Sequence, residues 1–185
     1  MNASNFVLFC KRLRTRAYTS LLKNGFGSFG ESSIVEPSLR FNRLKSIEVG
    51  SNVFIGSNCW LNVEKRNELF GAILVGDNVS ISGYTTISAV RSVIINPDVL
   101  IARYCYIADH AHQFLDKSTA IKNQGLNKID KVQIKEGAWI GQSVVVCPGV
   151  TIGKNSVIGA NSVVTKNIPD YSVAAGAPAR VLRTI

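Results

Sequence analysis

Aliphatic residues return at every sixth position through the second half of the chain. Ile134, Ile140, Val146, Ile152, Ile158 and Val164 form one unbroken series. A small or β-branched residue stands four places after each of the first five: Ala138, Val144, Val150, Ser156 and Ser162. Glycine directly follows Ile140, Ile152 and Ile158. The same frame appears earlier at Val49, Ile55, Val75, Ile81, Ile95 and Ile101, and runs on to Ile107. A period of six matches neither the roughly 3.6-residue turn of an α-helix nor the alternation of a simple strand. It matches a coil in which each hexapeptide supplies a short strand and a turn. Three hexapeptides then close one triangular rung of a parallel β-helix. The aliphatic side chain points inward and stacks on its counterpart one rung away. Glycine or asparagine fits the turn because both tolerate positive φ. Each rung buries its apolar edge only against its neighbours, so stability accumulates along the axis.

Two stretches depart from this frame. At the start, Phe6, Val7, Phe9, Leu13, Ala17, Leu21 and Leu22 recur at helical spacing, with Lys11, Arg12, Arg14, Arg16 and Lys23 among them. Asn2 or Ser4 is suited to cap the first turn, and Asn24-Gly25 to end the last. The pattern predicts an amphipathic helix over residues 1–25, with two readings. It covers the open edge of the first rung, or it rests its basic face on anionic lipid. Residues 26–48 read as an imperfect early rung or two. The second departure follows Ile107. The frame requires an aliphatic residue at position 113, where Gln113 stands, and it resumes only at Ile134. Residues 108–133 are rich in polar side chains and read as a loop thrown out of the coil. Long excursions from a compact scaffold are usually functional or disordered. The histidines of the chain, His110 and His112, both sit at this break. The chain therefore divides into a helix (1–25), a β-helix (26–169) carrying the loop 108–133, and a closing segment (170–185).

Composition narrows the function. With 185 residues, 46% hydrophobic and 18% charged, the chain is long enough for one domain with a sizeable core and is not of disordered type. The formal charge of +9 points to an anionic partner: nucleic acid, a membrane face or a phosphorylated small molecule. Cys10, Cys59, Cys105 and Cys147 show no Cys-x-x-Cys spacing, which argues against zinc and dithiol chemistry. Cys59 and Cys105 occupy the small inward position of the repeat and read as core. Residues 1–9 are too short and lack the basic start of a signal peptide, and no apolar run suffices to span a bilayer. The expected compartment is the reducing cytoplasm, with peripheral contact at the inner membrane face if the helix binds lipid.

The string IKEGAWIGQSVVVCPGVTIGKNSVIGANSVVTKNIPDYSVAAGAPARVLRTI, residues 134–185, resembles the C-terminal half of maltose, galactoside and O-antigen sugar O-acetyltransferases. These belong to the hexapeptide-repeat acyltransferases, and the resemblance extends back to about Val49. It implies an all-β fold, a left-handed parallel β-helix with an N-terminal α-helix and a protruding loop. The hand is implied by the resemblance alone, since parallel crossovers are in general right-handed. It also implies a homotrimer, with acetyl-CoA lying in a cleft between neighbouring coils and no nucleic acid among the partners. Galactoside-type relatives place a catalytic histidine three residues after the aliphatic strand position, which from Ile107 is His110. O-antigen-type relatives often carry Asp-His-x-His here, and Asp109-His110-Ala111-His112 reproduces it.

Imidazole suits the chemistry. Moving an acetyl group from a thioester to a sugar or glycan hydroxyl requires a base for the hydroxyl proton, which then returns to the departing thiol. Such a base contributes on the order of 10²–10⁴-fold. A carboxylate can fix the tautomer of the ring. Asp109 is adjacent, but neighbours on a strand point to opposite faces, so Asp116 is a rival. By resemblance, Trp139 and Gly141 in AWIG lie by the acyl-CoA cleft and Ala160 meets the pantetheine arm. Thr165 and Lys166 lie towards the nucleotide, and Arg180 and Arg183 towards its phosphates. No metal is expected: a carbonic anhydrase on this scaffold needs three zinc-binding histidines per site. Two further readings stay open. One is N-acetylation of an amino sugar, with the same fold and base. The other is a non-catalytic β-helix binding protein, which leaves the histidines unexplained.

Overall fold

A computed structural model describes residues 2–66 and 69–185. Its body is a left-handed parallel β-helix with three sheets. Sheet A stacks Ser28–Phe29, Ile47–Val49, Ile73–Val75, Val93–Ile95, Val132–Ile134 and Thr151–Ile152. Sheet B stacks Ile34–Val35, Phe54–Ile55, Ser80–Ile81, Leu100–Ile101, Trp139–Ile140, Val157–Ile158 and Ser172–Gly176, with Ala179–Thr184 at its edge. Sheet C stacks Arg40–Phe41, Trp60–Val63, Thr86–Ala89, Tyr106–Ala108, Val145–Val146 and Val163–Val164. The chain visits A, B and C in turn on each rung, and the fold predicted from the six-residue frame is the one observed.

The frame residues form the core. Leu61, Ile87, Ile107 and Val146 follow one another up sheet C in strict register, each with no exposed surface. Ile55, Ile81, Ile101, Ile140 and Ile158 do the same in sheet B. Burying each such side chain stabilises by roughly 1.5–3 kcal/mol, so the ladders are the main cohesive element. Cys59 and Cys105 are buried within them, and burial pushes the Cys59 thiol up to about 11.

Corners A/B and B/C are uniform. At A/B, a left-handed residue turns the chain at Ser32, Asn52, Asn78, Asp98, Gly137, Asn155 and Tyr171. At B/C it is Ser38, Asn58, Tyr84, Tyr104, Ser143 and Asn161. Asparagine thus does what the sequence assigned to it. The glycines after the aliphatic positions do something else: Gly141, Gly153 and Gly159 are not among the positive-φ residues. A Cβ on Gly141 would lie 2.6 Å from the Ile158 carbonyl oxygen, so smallness, which lets successive rungs approach, is what the position requires.

Corner C/A is irregular. From Ile107 the next frame residue is Ile134, and from Leu61 it is Val75, each reached through a further buried residue of the same sheet A strand, Val132 and Ile73. The long loop is shorter at both ends than the expected 108–133, because Ala108 belongs to sheet C and Val132 and Gln133 to sheet A. The earlier excursion carries a short antiparallel pair, Lys65–Arg66 against Leu69–Phe70. The jump from Leu61 to Val75 in the six-residue frame signals it.

Helix α1 (Ala3–Leu22) begins with Asn2, whose side-chain oxygen accepts from the Asn5 N–H at 2.9 Å. It packs on the first strand of sheet B, but through an unexpected face. Thr15 and Thr19 are buried, whereas Phe6, Val7, Phe9, Leu13 and Leu21 are exposed. The physical reason is the partner. Val35 is an edge residue with backbone groups to satisfy, and Thr19 Oγ1 accepts from its N–H at 3.0 Å and lies 3.1 Å from its carbonyl oxygen. A hydroxyl meets that need and an alkyl group does not. Lys11 adds an ion pair to Glu36 at 3.0 Å.

Candidate active site

The strand Tyr106–Ala108 sets the base of the long loop. Ile107, Ala108 and Asp109 are all buried in succession, so strand alternation has already ended at Asp109. Its N–H still donates to the Ser88 carbonyl of the rung below, at 3.3 Å, and its own carbonyl accepts from the Asp130 N–H at 2.8 Å. Asp109 and Asp130 thereby close the neck of the loop. Inside the neck the Asp109 carboxylate turns back over the lower rung. One oxygen accepts from Val90 N–H at 2.9 Å, and the other from Arg91 N–H at 2.7 Å. The remaining capacity is directed at His110, whose Nδ1 lies 2.8 Å from Asp109 Oδ1. The Asp109 side chain is fully buried and that of His110 retains 10% exposure.

This geometry fixes the ring. Backbone N–H groups can only donate, so they orient the carboxylate as an acceptor. The nitrogen of His110 that faces it carries a proton, and Nε2 presents its lone pair on the other side. The strand-alternation objection to an adjacent Asp–His pair is removed by the turn. Asp116 is elsewhere: its carboxylate accepts from the Ser118 N–H at 2.8 Å and hydroxyl at 2.6 Å. Hydrogen bonds, first from the Ser118 side chain and then from Thr119, hold it at about 2.

His112 lies on a short strand, Ala111–His112, paired antiparallel with Leu126–Asn127, and is exposed. The loop is therefore a hairpin at its base. Its outer part exposes Phe114, Leu115 and Ile121. Below Asp109 runs a buried polar column that the six-residue frame does not predict. Asn62 Nδ2 donates to Ser88 Oγ at 2.9 Å and to Glu64 Oε1 at 3.3 Å. Asn62 and Ser88 are in register, and Ser88 is paired with Ala108. The available signal was a polar residue directly after the inward aliphatic residues Leu61 and Ile87.

The other residues expected at the cosubstrate cleft fall into three groups. Trp139 stands on the outer face of sheet B between Leu100 and Val157, 49% exposed. Gly141 and Ala160 are stacked at corner B/C, where a Gly141 Cβ would meet the Ala160 nitrogen at 2.7 Å. That corner leads into sheet C, whereas His110 lies beyond its far end, so one chain holds these groups on opposite sides of the sheet. Thr165 and Lys166 are exposed and follow Val163–Val164, at the same end of sheet C as His110 but two rungs further on. Arg180 lies opposite Ala175 on the last strand, and its Nη1 donates to the Ala179 carbonyl at 2.9 Å. Arg183 lies opposite Val173. Among the described residues no helix is long and apolar enough to cross a membrane.

Comparison with known proteins finds relatives of the chain. Residues 131–166 match the family model described as bacterial transferase hexapeptide (six repeats). The chain is 38% identical over 160 residues to a galactoside O-acetyltransferase of Lactococcus lactis, covering 85% of this chain and 73% of that protein. It is 39% identical over 140 residues to a probable acetyltransferase of Mycobacterium tuberculosis, covering 76% of this chain but only 45% of that longer protein. Among solved structures, a galactoside acetyltransferase in complex with coenzyme A superposes with a TM-score of 0.64 at 34% identity, covering 90% of this chain and 68% of that one. The repeat, the register and these matches agree: the chain belongs to the hexapeptide-repeat family of acyltransferases.

Proposed function

We propose that this protein is an acetyl-CoA-dependent O-acetyltransferase acting on a sugar or glycan hydroxyl in the assembly of a cell-surface polysaccharide, with His110 as the general base. The observation that carries the reading is the Asp109–His110 pair, 2.8 Å apart, at the point where the coil opens. In the proposed reaction, His110 Nε2 removes the acceptor hydroxyl proton as the oxygen bonds to the thioester carbonyl carbon. The C–S bond then breaks, and the imidazolium returns the proton to the departing sulfur. Asp109 holds the ring in the required tautomer and offsets the transient positive charge. Lys166, Arg180 and Arg183 supply cationic donors suited to the phosphates of the cosubstrate.

The reading includes a homotrimer. Trp139, Gly141 and Ala160 lie across sheet C from His110, so a site using all of them needs corner B/C of one copy beside corner C/A of the next. Such a heterologous contact closes into a ring. The face it would cover is apolar. Phe54, Leu100 and Trp139 are exposed on sheet B, Tyr106 is exposed on sheet C, and Tyr84 stacks on Tyr104 at the corner between them, 5.1 Å apart. The test is release of free thiol from acetyl-CoA with a panel of simple sugars, nucleotide sugars, amino sugars and lipid-linked oligosaccharides. Product analysis separates ester from amide. Turnover with a hydroxyl acceptor is expected; ester formation with no member of the panel counts against the reading, and a fully active monomer counts against the shared site.

A further inference from the structure

Helix α1 has two stripes, and the fold uses the wrong one for a core helix. Thr15, Thr19 and Leu22 face the coil, and Leu8, itself half exposed, borders the cleft between helix and coil beside Ile34 and Phe54. Phe6, Phe9, Cys10, Leu13, Ala17 and Leu21 recur at three- and four-residue steps on the opposite side, and all of them are exposed. Phe6 and Thr15 are nine residues apart in sequence, two and a half helical turns, which places them back to back. The apolar stripe is therefore turned away from the protein's own body rather than left over beside it.

Charge identifies what it meets. Lys11 is engaged with Glu36 on the body side. Arg14 flanks the stripe on one side, with Arg12 and Arg16 on the other, and all three are exposed. The helix contains no acidic residue, and the whole chain carries +9. A second copy of this helix would set like charges against like. An aqueous surface would leave two phenylalanines and two leucines in water. An apolar layer beneath anionic headgroups satisfies both features at once: the rings and leucines enter the acyl boundary while the guanidinium groups reach phosphate oxygens.

We propose that α1 is a docking helix for an anionic lipid bilayer, lying in the plane of the headgroups with the coil standing on its threonine face. The proposal is independent of the acceptor, since it needs neither His110 nor acetyl-CoA. Full-length protein is sedimented with vesicles of phosphatidylcholine alone and of phosphatidylcholine mixed equally with phosphatidylglycerol. Binding is expected only to the second, weakening as salt is raised. Leu13→Glu should reduce it to background, and Arg14→Glu with Arg16→Glu should weaken it more than about tenfold. Both variants leave Thr15, Thr19 and Lys11 in place, so melting temperature, oligomeric size and thiol release should be unchanged. No binding to the phosphatidylglycerol vesicles would overturn the proposal, as would binding that survives Leu13→Glu. Dissociation of the oligomer by Leu13→Glu would overturn it in favour of a second copy on this face.

Discussion

Corners A/B and B/C never vary in length, whereas corner C/A carries every insertion. From Val75 to Ile81 to Ile87, and again from Ile95 to Ile101 to Ile107, the chain keeps its six-residue step. Between Leu61 and Val75, and between Ile107 and Ile134, it does not. The difference lies in the turn. A single left-handed residue returns the chain within one step at the uniform corners, and there is no slack to absorb another residue. Where C/A has that device, at Gly149, the step from Val146 to Ile152 is again six residues. After Leu61 and Ile107 the strand runs on instead, to Val63 and Ala108, and a hairpin leaves and returns while the ladders on either side stay in register. Chemistry that must project from a regular wall can then be added without disturbing the wall, and the Asp109–His110 pair stands at this corner.

The sharpest way to break the contrast is to insert one alanine after Asn78. A slip of one residue turns inward side chains outward for the rest of the rung. The variant should fail to accumulate as folded protein by circular dichroism. The same insertion after Lys122, in the long loop, should leave the melting temperature within a degree or so. Equal damage at both positions would end the distinction between corners.

His110→Ala tests what the irregular corner is for. Turnover should fall roughly 10²–10⁴-fold, about 3–5 kcal/mol of barrier, with melting temperature and coenzyme A binding retained. His112→Ala, on the exposed hairpin strand, should cost less. An inactive His112→Ala beside an active His110→Ala would reverse their roles. Asp109→Asn should lie between them, roughly 10–10²-fold, because one amide cannot accept from Val90, Arg91 and His110 together. The reading specific to positioning is the split between kinetic constants: kcat should fall while the KM for acetyl-CoA and the melting temperature hold. A loss of turnover matched by a loss of folded protein would make Asp109 a purely structural residue.

The smallest effect concerns the uniform corners. Asn78 has φ of +58°, and alanine tolerates that region less well. Asn78→Ala should cost about 1 kcal/mol in chemical denaturation and nothing in turnover. A stability unchanged by the substitution would show that the turn does not depend on its left-handed residue.

The sequence was most readable where one residue type answers one need. Inward aliphatic positions and left-handed asparagines follow from packing and backbone sterics alone, so the coil and the loop after Ile107 could be read directly. Helix α1 was placed correctly, but its buried face was not. Periodicity locates an apolar stripe and says nothing about whether the neighbouring surface is apolar or an edge of unpaired backbone groups. The Asp109–His110 contact was half legible for a related reason: Asp109 was the nearest carboxylate, but it could reach the ring only through a turn. Alternation holds only within a strand, and no local signal marks Asp109 as the residue at which it stops. The excursion at 64–72 was legible in the spacing but lacked the histidines that drew attention to the other. Trp139, Gly141 and Ala160 were assigned to the coenzyme cleft by resemblance alone, because within one chain they lie across sheet C from His110.

The hydroxyl of Thr19 has one more implication. A coil assembled by stacking identical rungs has no inherent length, and the outermost strand offers the same unpaired groups that hold the next rung in place. The hydroxyl oxygen of Thr19 accepts from the Val35 N–H at 3.0 Å, and its one proton lies between the Thr15 and Val35 carbonyl oxygens, 2.9 and 3.1 Å away. Helix α1 thus covers sheet B where a further strand would add, as a stopper against end-on growth. Thr19→Val would keep the shape of the side chain and strip the stopper of its polar contact with the edge. Unit size in this molecule is set partly by this cover, and losing the cover would leave an open template of the kind on which fibres grow.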